Sequence, residues 1–188
     1  MNISDNPAQL ATLRADIAAD GVLNAIPNTP DGAFAIADAY NLLAVPTFTV
    51  WCNTVNTDDI FNAIAWANLT PNDAPDTTQQ WLNRALACQG KQFNVQTMLS
   101  GRTQLFTGKA NIRAGLQDAL TNVPSGAGGT LVAAGWVAVR DGPLKRSALR
   151  IEKLFADTAG GNGAFATPAA LVVEGKINYN DVLNARAN

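Results

Sequence analysis

The sequence contains no histidine among its 188 residues. Histidine is the most frequent general base, the commonest metal ligand and the side chain that titrates nearest to neutral pH. Its absence argues against the usual acid–base, zinc and pH-switch chemistries. We therefore predict no catalytic, metal-ligating or cofactor-binding residue, and we expect no cofactor.

Cysteine is almost as scarce, with only Cys52 and Cys88, each inside an apolar stretch. Neither residue has the CxxC partner that zinc and dithiol redox motifs require. Two buried, reduced thiols are the simpler interpretation, and a single disulfide between them is the alternative.

Long apolar runs are also missing. The longest one lies around residues 131–139 and falls far short of the roughly 20 residues that span a bilayer. Residues 1–7 are polar and lack the basic and apolar regions of a signal peptide. The sequence therefore predicts no membrane segment and no secretion signal, and the default compartment is the cytoplasm.

Charged residues make up only 15% of the chain, against a usual share of about 25%. A surface with so little charge is typical of a protein that contacts other protein over much of its area, and a small economical domain is the alternative. The charges are also asymmetric, because residues 1–76 carry nine acidic groups and one basic group, whereas residues 77–156 carry ten basic and three acidic groups. This polarity favours either head-to-tail contacts between copies or neutralisation within one chain.

Apolar spacing and capping residues predict a mainly α fold, a helical bundle of about six to eight helices over residues 1–156. The first helix follows Asn6-Pro7 and the second follows Thr29-Pro30. The second is expected to run until Pro46 stops it, with Leu42 and Leu43 among its apolar positions. Further helices are expected near residues 57–66, 77–89, 93–99, 111–120, 130–140 and 143–156. Residues 47–52 are β-branched and aromatic, so they are typical of a strand, although helical neighbours can absorb such a segment.

Two local patterns resemble sites. The glycine-rich loop 125–129 precedes a predicted helix, but it lacks the Gly-Lys-Ser/Thr ending of a phosphate loop, so a close turn between helices is the better interpretation. A basic face is predicted from residues Arg140, Lys145, Arg146, Arg150 and Lys153. This face has three alternative partners: solvent, an acidic protein surface or a phosphate backbone. Proteins that bind single-stranded nucleic acid place aromatic side chains between their basic ones, and this segment does not.

The C-terminal part, residues 157–188, is predicted to be an assembly arm: a glycine-rich strap at 157–168, a strand pair at 170–174 and 176–178 kinked at Gly175, and a short terminal helix. An isolated strand pair on a flexible strap is not stable alone. It must therefore join a sheet edge, in its own chain or in a neighbouring one, and the neighbour is favoured. The predicted partner-binding residues are Leu171, Val172, Val173, Ile177 and Tyr179. Removal of 157–188 is expected to leave a folded helical body.

Several blocks of sequence appear in a characteristic order. They are residues 31–42 (DGAFAIADAYNL) followed by a Pro and a Val-Trp, then PSGAGG at 124–129, RIEKLFA at 150–156 and EGKINYNDVL at 174–183. In this order the blocks resemble a family of small proteins encoded among the structural genes of tailed phages and prophages. The resemblance covers both ends of the chain, whereas residues 65–120 depart from it.

The resemblance implies a non-enzymatic virion component, made in the cytoplasm of a bacterial host. We expect a subunit of a head-to-tail connector or neck ring that contacts other copies and the portal or tail protein, with non-specific contact to passing DNA. A capsid-attached or tail-associated protein is the alternative. A peptidoglycan hydrolase is a further one, and it would need two carboxylates at glycosidase separation. The only glutamates available for it are Glu152 and Glu174.

Overall fold

The computed structural model describes residues 3–71, 73–74, 79–126, 130–157, 160–161 and 167–187. Within these residues the fold is mainly α with short strand pairs and a C-terminal helix, as predicted. The helices are α1 Pro7–Ala19, α2 Gly21–Asn24, α3 Pro30–Tyr40, α4 Thr57–Ala63, α5 Gln79–Leu99, α6 Ala110–Leu120, α7 Trp136–Asp141, α8 Arg150–Phe155 and α9 Tyr179–Ala187, with a 3-10 turn at Trp66–Leu69. The strands are β1 Thr49–Trp51, β2 Val55–Asn56, β3 Gln104–Leu105, β4 Val123–Pro124, β5 Leu131–Val132 and β6 Lys145–Ser147.

The two predicted helix starts near the N-terminus are confirmed. Asn6 Oδ1 accepts hydrogen bonds from the backbone N–H groups of Ala8 and Gln9, with Pro at the first helical position. Thr29 Oγ1 accepts from the Gly32 N–H at the start of α3. Side chains of this type satisfy amide donors that have no partner inside the helix, which is why both starts are readable from local sequence.

Two predicted helices are wrong over part of their length. At 130–140, residues 131–132 form β5, which pairs antiparallel with β4 in the register Val123↔Val132, and the helix begins only at Trp136. At 143–156, residues 145–147 form β6, and the helix covers only 150–155. In both segments a strand partner supplied by another part of the chain overrides the local helical pattern.

The chain forms two compact units, and each has its own core. Unit 1 comprises residues 1–50 and 147–188, and unit 2 comprises residues 51–146. The division differs from the predicted body and arm, because the C-terminal residues belong to the same unit as the N-terminal helices. The strands pair as β1–β6, β2–β3 and β4–β5, and the chain passes from one unit to the other within β1 and again within β6.

Unit 1 is built from α1, α2, α3, α8 and α9. Its main core is formed by buried side chains that these helices and the N- and C-terminal segments contribute: Ile3, Leu10, Leu13, Ile17, Leu23, Ile36, Tyr40, Ile151, Ile177 and Val182. In unit 2, the long helix α5 packs on α6 and β4 around a second core.

Candidate interaction surfaces

The C-terminal segment lies on unit 1 and is held there by side chains. Asn41 Oδ1 accepts from the Ile177 N–H at 3.0 Å, and Asn41 Nδ2 donates to the Ile177 carbonyl at 2.9 Å. Glu152 Oε1 accepts from the Gly175 N–H at 2.8 Å, and Asp181 Oδ2 accepts from the Asn178 N–H at 3.0 Å. These side chains satisfy backbone groups that a strand would offer to a sheet edge.

The strands predicted at 170–174 and 176–178 are therefore not formed. The kink at Gly175 is present, with a φ of 100°. The β contact nearest to this segment is a single parallel bridge between Ala169 and Val50 of the same unit. Within the predicted strap, one of the described glycines, Gly161, has a φ of 90° and packs on the Phe48 ring, where a Cβ would lie 2.3 Å from Cζ. Residues 158–159 and 162–166 of the strap lie outside the described residues.

The five predicted partner-binding residues have different environments. Ile177 is buried, and Tyr179 stacks on Phe34 of α3 with 4.3 Å between ring centroids. Leu171 and Val173 are half-buried against apolar clusters of unit 1. Val172 is 72% exposed. Of the five, Val172 is therefore the side chain that is most accessible to another molecule.

The basic residues do not form one helical face, because the helix predicted at 143–156 does not exist as such. Arg140 of α7 and Lys145 of β6 both contact the Asp141 carboxylate, at 2.6 and 3.0 Å. These two cations hold the pKa of Asp141 well below its usual range. Arg140, Lys145 and Arg146 belong to unit 2, whereas Arg150 and Lys153 lie on α8 in unit 1.

Arg150 is the centre of a charged cluster on the surface of unit 1. Its guanidinium Nη2 lies 3.0 Å from Asp20 Oδ2 and 3.2 Å from Asp16 Oδ2, and the group stacks 4.6 Å from the centroid of the Tyr40 ring. The Tyr40 hydroxyl donates to Asp16 Oδ2 at 2.5 Å. Acidic residues from the front half of the sequence are thus neutralised by a basic residue from the back half of the same chain. At this cluster, the intrachain alternative for the charge asymmetry holds.

The cluster shifts the pKa values of Asp20 and Tyr40. The pKa of Asp20 is lowered, first by the hydrogen bond from the Leu23 N–H and then by Arg150. The pKa of Tyr40 is raised, first by burial and then by its hydrogen bond to Asp16. Asp20 also caps α2, since its Oδ1 accepts from the N–H groups of Val22 and Leu23.

This cluster yields a pH-dependent prediction. Because the pKa of Asp20 is depressed in the folded state, its contribution to stability is present above the unfolded pKa and is lost as the pH falls through the folded pKa. The Arg150→Gln variant should raise the pKa of Asp20 only part of the way to its usual range, because the Leu23 N–H bond remains. NMR titration of the Asp20 side-chain carboxyl would measure both values. Equal pKa values in the two proteins would contradict the geometry.

A groove of about 650 Å³ opens beside the cluster. One side carries the charged residues Asp16, Asp20, Arg150 and Lys153. The other side is an apolar lip, defined by Leu42, Leu43 and Val45, whose side chains are between 61% and 92% exposed. An apolar surface beside a fixed arginine is typical of the centre of a protein–protein interface.

The lip is fixed by the backbone of residues 148–150, which join β6 to α8. The Arg150 N–H donates to the Leu42 carbonyl at 2.8 Å, and the Ala44 N–H donates to the Ala148 carbonyl at 2.9 Å. Sequence reasoning missed the lip because it placed Leu42 and Leu43 on the buried side of a helix running to Pro46. The helix in fact ends at Tyr40, so the following residues leave the helical periodicity and their side chains point outward.

Of the two glutamates considered for catalysis, Glu152 is occupied by structural contacts. Glu152 is buried, and its Oε2 and Oε1 atoms accept from the N–H groups of Leu149 and Gly175. Glu174 is exposed. Asp58 and Asp59 lie in the first turn of α4, where the helix dipole favours anions. Over the described ranges, no group of three or more cysteine or acidic residues is arranged to hold a metal ion.

Cys52 and Cys88 form no disulfide; Cys88 is buried and Cys52 is half-buried. Burial raises the pKa of Cys88. Among the helices of the described residues, none has both the length and the apolarity that a bilayer requires. Comparison with known protein families, with curated proteins and with solved structures gives no match.

Proposed function

We propose that this chain is a non-enzymatic structural protein of a tailed-phage virion, a subunit of the connector or neck between head and tail. Copies assemble head to tail into a ring that also contacts the portal or tail protein. The resemblance to phage structural proteins supports the proposal that the chain is a virion component. The contacts of Glu152 support a structural role for the residue on which a hydrolase mechanism would depend.

One observation carries the assembly proposal: the described residues of unit 1 include at least two exposed apolar surfaces that are separate from each other. The first is the groove with its lip, and the second is Val172, which is not among the residues that line the groove. A head-to-tail contact requires two different surfaces on each copy, and repetition of that contact closes a ring when the rotation allows it. In the proposed contact, the groove of one copy receives the Val172 region of the next.

This proposal modifies the predicted arm. The segment that contacts the neighbour is the turn around Val172, and the backbone on both sides of it stays on its own unit. The affinity comes mainly from burying apolar side chains. Arg150 is already held by Asp16 and Asp20, so it meets the neighbour as a preorganised group whose orientation costs little on binding.

The test uses one variant for each surface. Leu43→Asp and Val172→Asp should each abolish ring formation, because either substitution places a charge at a desolvated contact. A mixture of the two variants should form a species of two subunits, since one protein keeps an intact groove and the other keeps an intact Val172. Light scattering and negative-stain images, with and without the portal protein, would measure the assemblies.

The matched control is Val22→Asp, since Val22 is 77% exposed on α2 and is not among the residues that line the groove. This variant should assemble as the natural protein does. The absence of any ring, alone or with the portal protein, would contradict the proposal. Ring formation by both single variants would contradict the role of these two surfaces.

A further inference from the structure

Helix α5 in unit 2 has two opposite apolar faces. Its buried face carries Cys88, Val95 and Leu99 together with the aliphatic part of Arg84. Its outer face carries Leu82, Leu86 and Phe93, whose side chains are half to two-thirds exposed. At 100° per residue these three positions lie within about 40° of one another. They form a stripe along a helix that is 21 residues, or about 31 Å, long.

The stripe has the spacing of a seam between two packed helices. Positions 82, 86, 89 and 93 follow one another at intervals of four, three and four residues, with Leu, Leu, Gln and Phe. This alternation is what two helices crossing at a small angle present to each other.

Gly90 gives a second, independent reason to expect a close neighbour. It lies in the middle of α5 beside the stripe, and a Cβ built there meets nothing within 4 Å. Glycine inside a helix costs about 1 kcal/mol relative to alanine. Among the residues that the structure describes, no contact requires glycine at this position. Close approach of another helix would require it.

We propose that the stripe is an isologous contact, in which α5 packs antiparallel against α5 of a second copy. A two-fold axis between Gln89 and Gly90 brings Leu86 of each copy against Phe93 of the other, so the apolar side chains match themselves. An isologous contact also opposes each charge to a like charge near the axis. The exposed stripe avoids this repulsion, because the only charged side chains of α5 are Arg84 and Lys91.

Both of those charges are held elsewhere. Arg84 is buried and paired with Asp73, and the Lys91 Nζ donates to the Asp118 carbonyl at 2.5 Å. A charged partner would therefore gain little from this stripe, whereas a second neutral stripe fits it. This favours another copy of the chain over an acidic or basic protein.

The stripe supplies part of the area that such a contact needs. Each of the three side chains offers on the order of 100 Å² of apolar surface, so two copies together bury roughly 600 Å². A standard interface buries about 1,600 Å² in total. The stripe thus supplies the apolar centre, and the exposed Gln and Asn residues along α5 supply the rim.

Cross-linking tests the contact directly. In a Cys52→Ser background, Gln89→Cys should cross-link between copies with a short bis-maleimide, because position 89 lies next to the axis. Ala87→Cys is the matched control: it is exposed on the same helix but about 100° away from the stripe, and it should not cross-link. Copies with Gln79→Cys should cross-link to copies with Thr97→Cys and not to themselves, which separates an antiparallel pair from a parallel one.

Substitution supplies the second measurement. Leu86→Asp should weaken dimerisation by about 30-fold or more in sedimentation velocity, because each substitution enters the contact twice. Val137→Asp, at an exposed position on α7 of the same unit, should leave it unchanged. Weak contacts become visible at a concentration of about 100 µM. A natural protein that stays monomeric at about that concentration would overturn the inference. Cross-linking at position 87 equal to that at position 89 would overturn it as well.

The inference does not rest on the proposed ring. The Leu43→Asp and Val172→Asp variants leave α5 intact, so cross-linking at position 89 should persist when ring formation is lost. Loss of the 89–89 cross-link with rings still present would overturn the α5 contact and leave the ring proposal standing.

Discussion

Truncation of the chain after Gly175 is expected to unfold unit 1 and to leave unit 2 folded. The sequence suggested the opposite, namely a helical body that survives without its C-terminal arm. The structure gives the reason for the change: Ile177, Val182 and Ala185 are buried in the core formed with α1 and α3. Removal of these residues exposes the apolar sides of both helices.

The magnitude supports this expectation. Full burial of a Val or Ile side chain contributes about 1.5–3 kcal/mol, and the cavity left among the remaining residues adds to the loss. The truncation also removes the partner of the Asn41 amide, which then has to be satisfied by water. The total, about 5 kcal/mol or more, reaches the stability of an ordinary domain, about 5–15 kcal/mol.

Intrinsic fluorescence separates the two units. All four tryptophans, Trp51, Trp66, Trp81 and Trp136, belong to unit 2, and both tyrosines, Tyr40 and Tyr179, belong to unit 1. The truncated protein should keep natural tryptophan emission and a cooperative tryptophan-detected urea transition. The part of its far-UV helical signal that comes from unit 1 and the amide-exchange protection of α1 and α3 should be lost.

Two full-length variants complete the experiment. Val182→Asp places a charge at a fully buried position and should cost about 4 kcal/mol or more in unit 1. Val172→Asp, in the same C-terminal part but at an exposed position, should change the free energy of unfolding by no more than about 0.5 kcal/mol. Retained protection of α1 and α3 in the truncated protein would show that the C-terminal segment is an arm after all.

The parts of the fold that the sequence predicted are those that depend on neighbouring residues. The caps at Asn6 and Thr29 act within three residues of their own positions, so the starts of α1 and α3 could be placed from sequence. The β1 segment is also apparent, because its β-branched and aromatic residues favour an extended backbone.

The parts that failed depend on contacts between distant residues. The segment 176–178 has the composition of a strand, but the Asn41 side chain, 136 residues away, makes both of the hydrogen bonds that a neighbouring strand would make to Ile177. A single sequence has no pattern that pairs these two residues. The groove was missed for a similar reason, since its lip exists only because α3 ends at Tyr40 and residues 148–150 hold the following turn.

Substitution of Glu152 is the second change with a large expected effect. Its carboxylate accepts one hydrogen bond from the Leu149 N–H at the start of α8 and another from the Gly175 N–H in the C-terminal segment. Neither N–H group donates to a backbone carbonyl of a helix or a strand that the structure describes. Glu152→Ala should therefore lower the free energy of unfolding of unit 1 by about 3 kcal/mol, since it leaves two donors near a buried site without a charged acceptor.

The isosteric variant Glu152→Gln distinguishes hydrogen bonding from packing. The amide keeps the shape of the side chain and one oxygen acceptor, but its NH₂ group faces a backbone N–H. We expect a loss of about 2 kcal/mol, smaller than that of Glu152→Ala. Amide exchange at Gly175 should accelerate in both variants, and the tryptophan-detected transition of unit 2 should not move.

Glu174→Ala is the matched control, because Glu174 is the other glutamate of the chain and is exposed. It should change stability by no more than about 0.5 kcal/mol. A stability of Glu152→Ala equal to that of Glu174→Ala would contradict the structural role of the buried carboxylate.

The same variants examine the hydrolase alternative: a peptidoglycan zymogram that clears with the natural protein and fails only with the stable, folded Glu152→Gln would make Glu152 catalytic. We expect no clearing with any of them, because Glu152 is only 1% exposed and its carboxyl group cannot come within hydrogen-bond reach of a glycosidic oxygen.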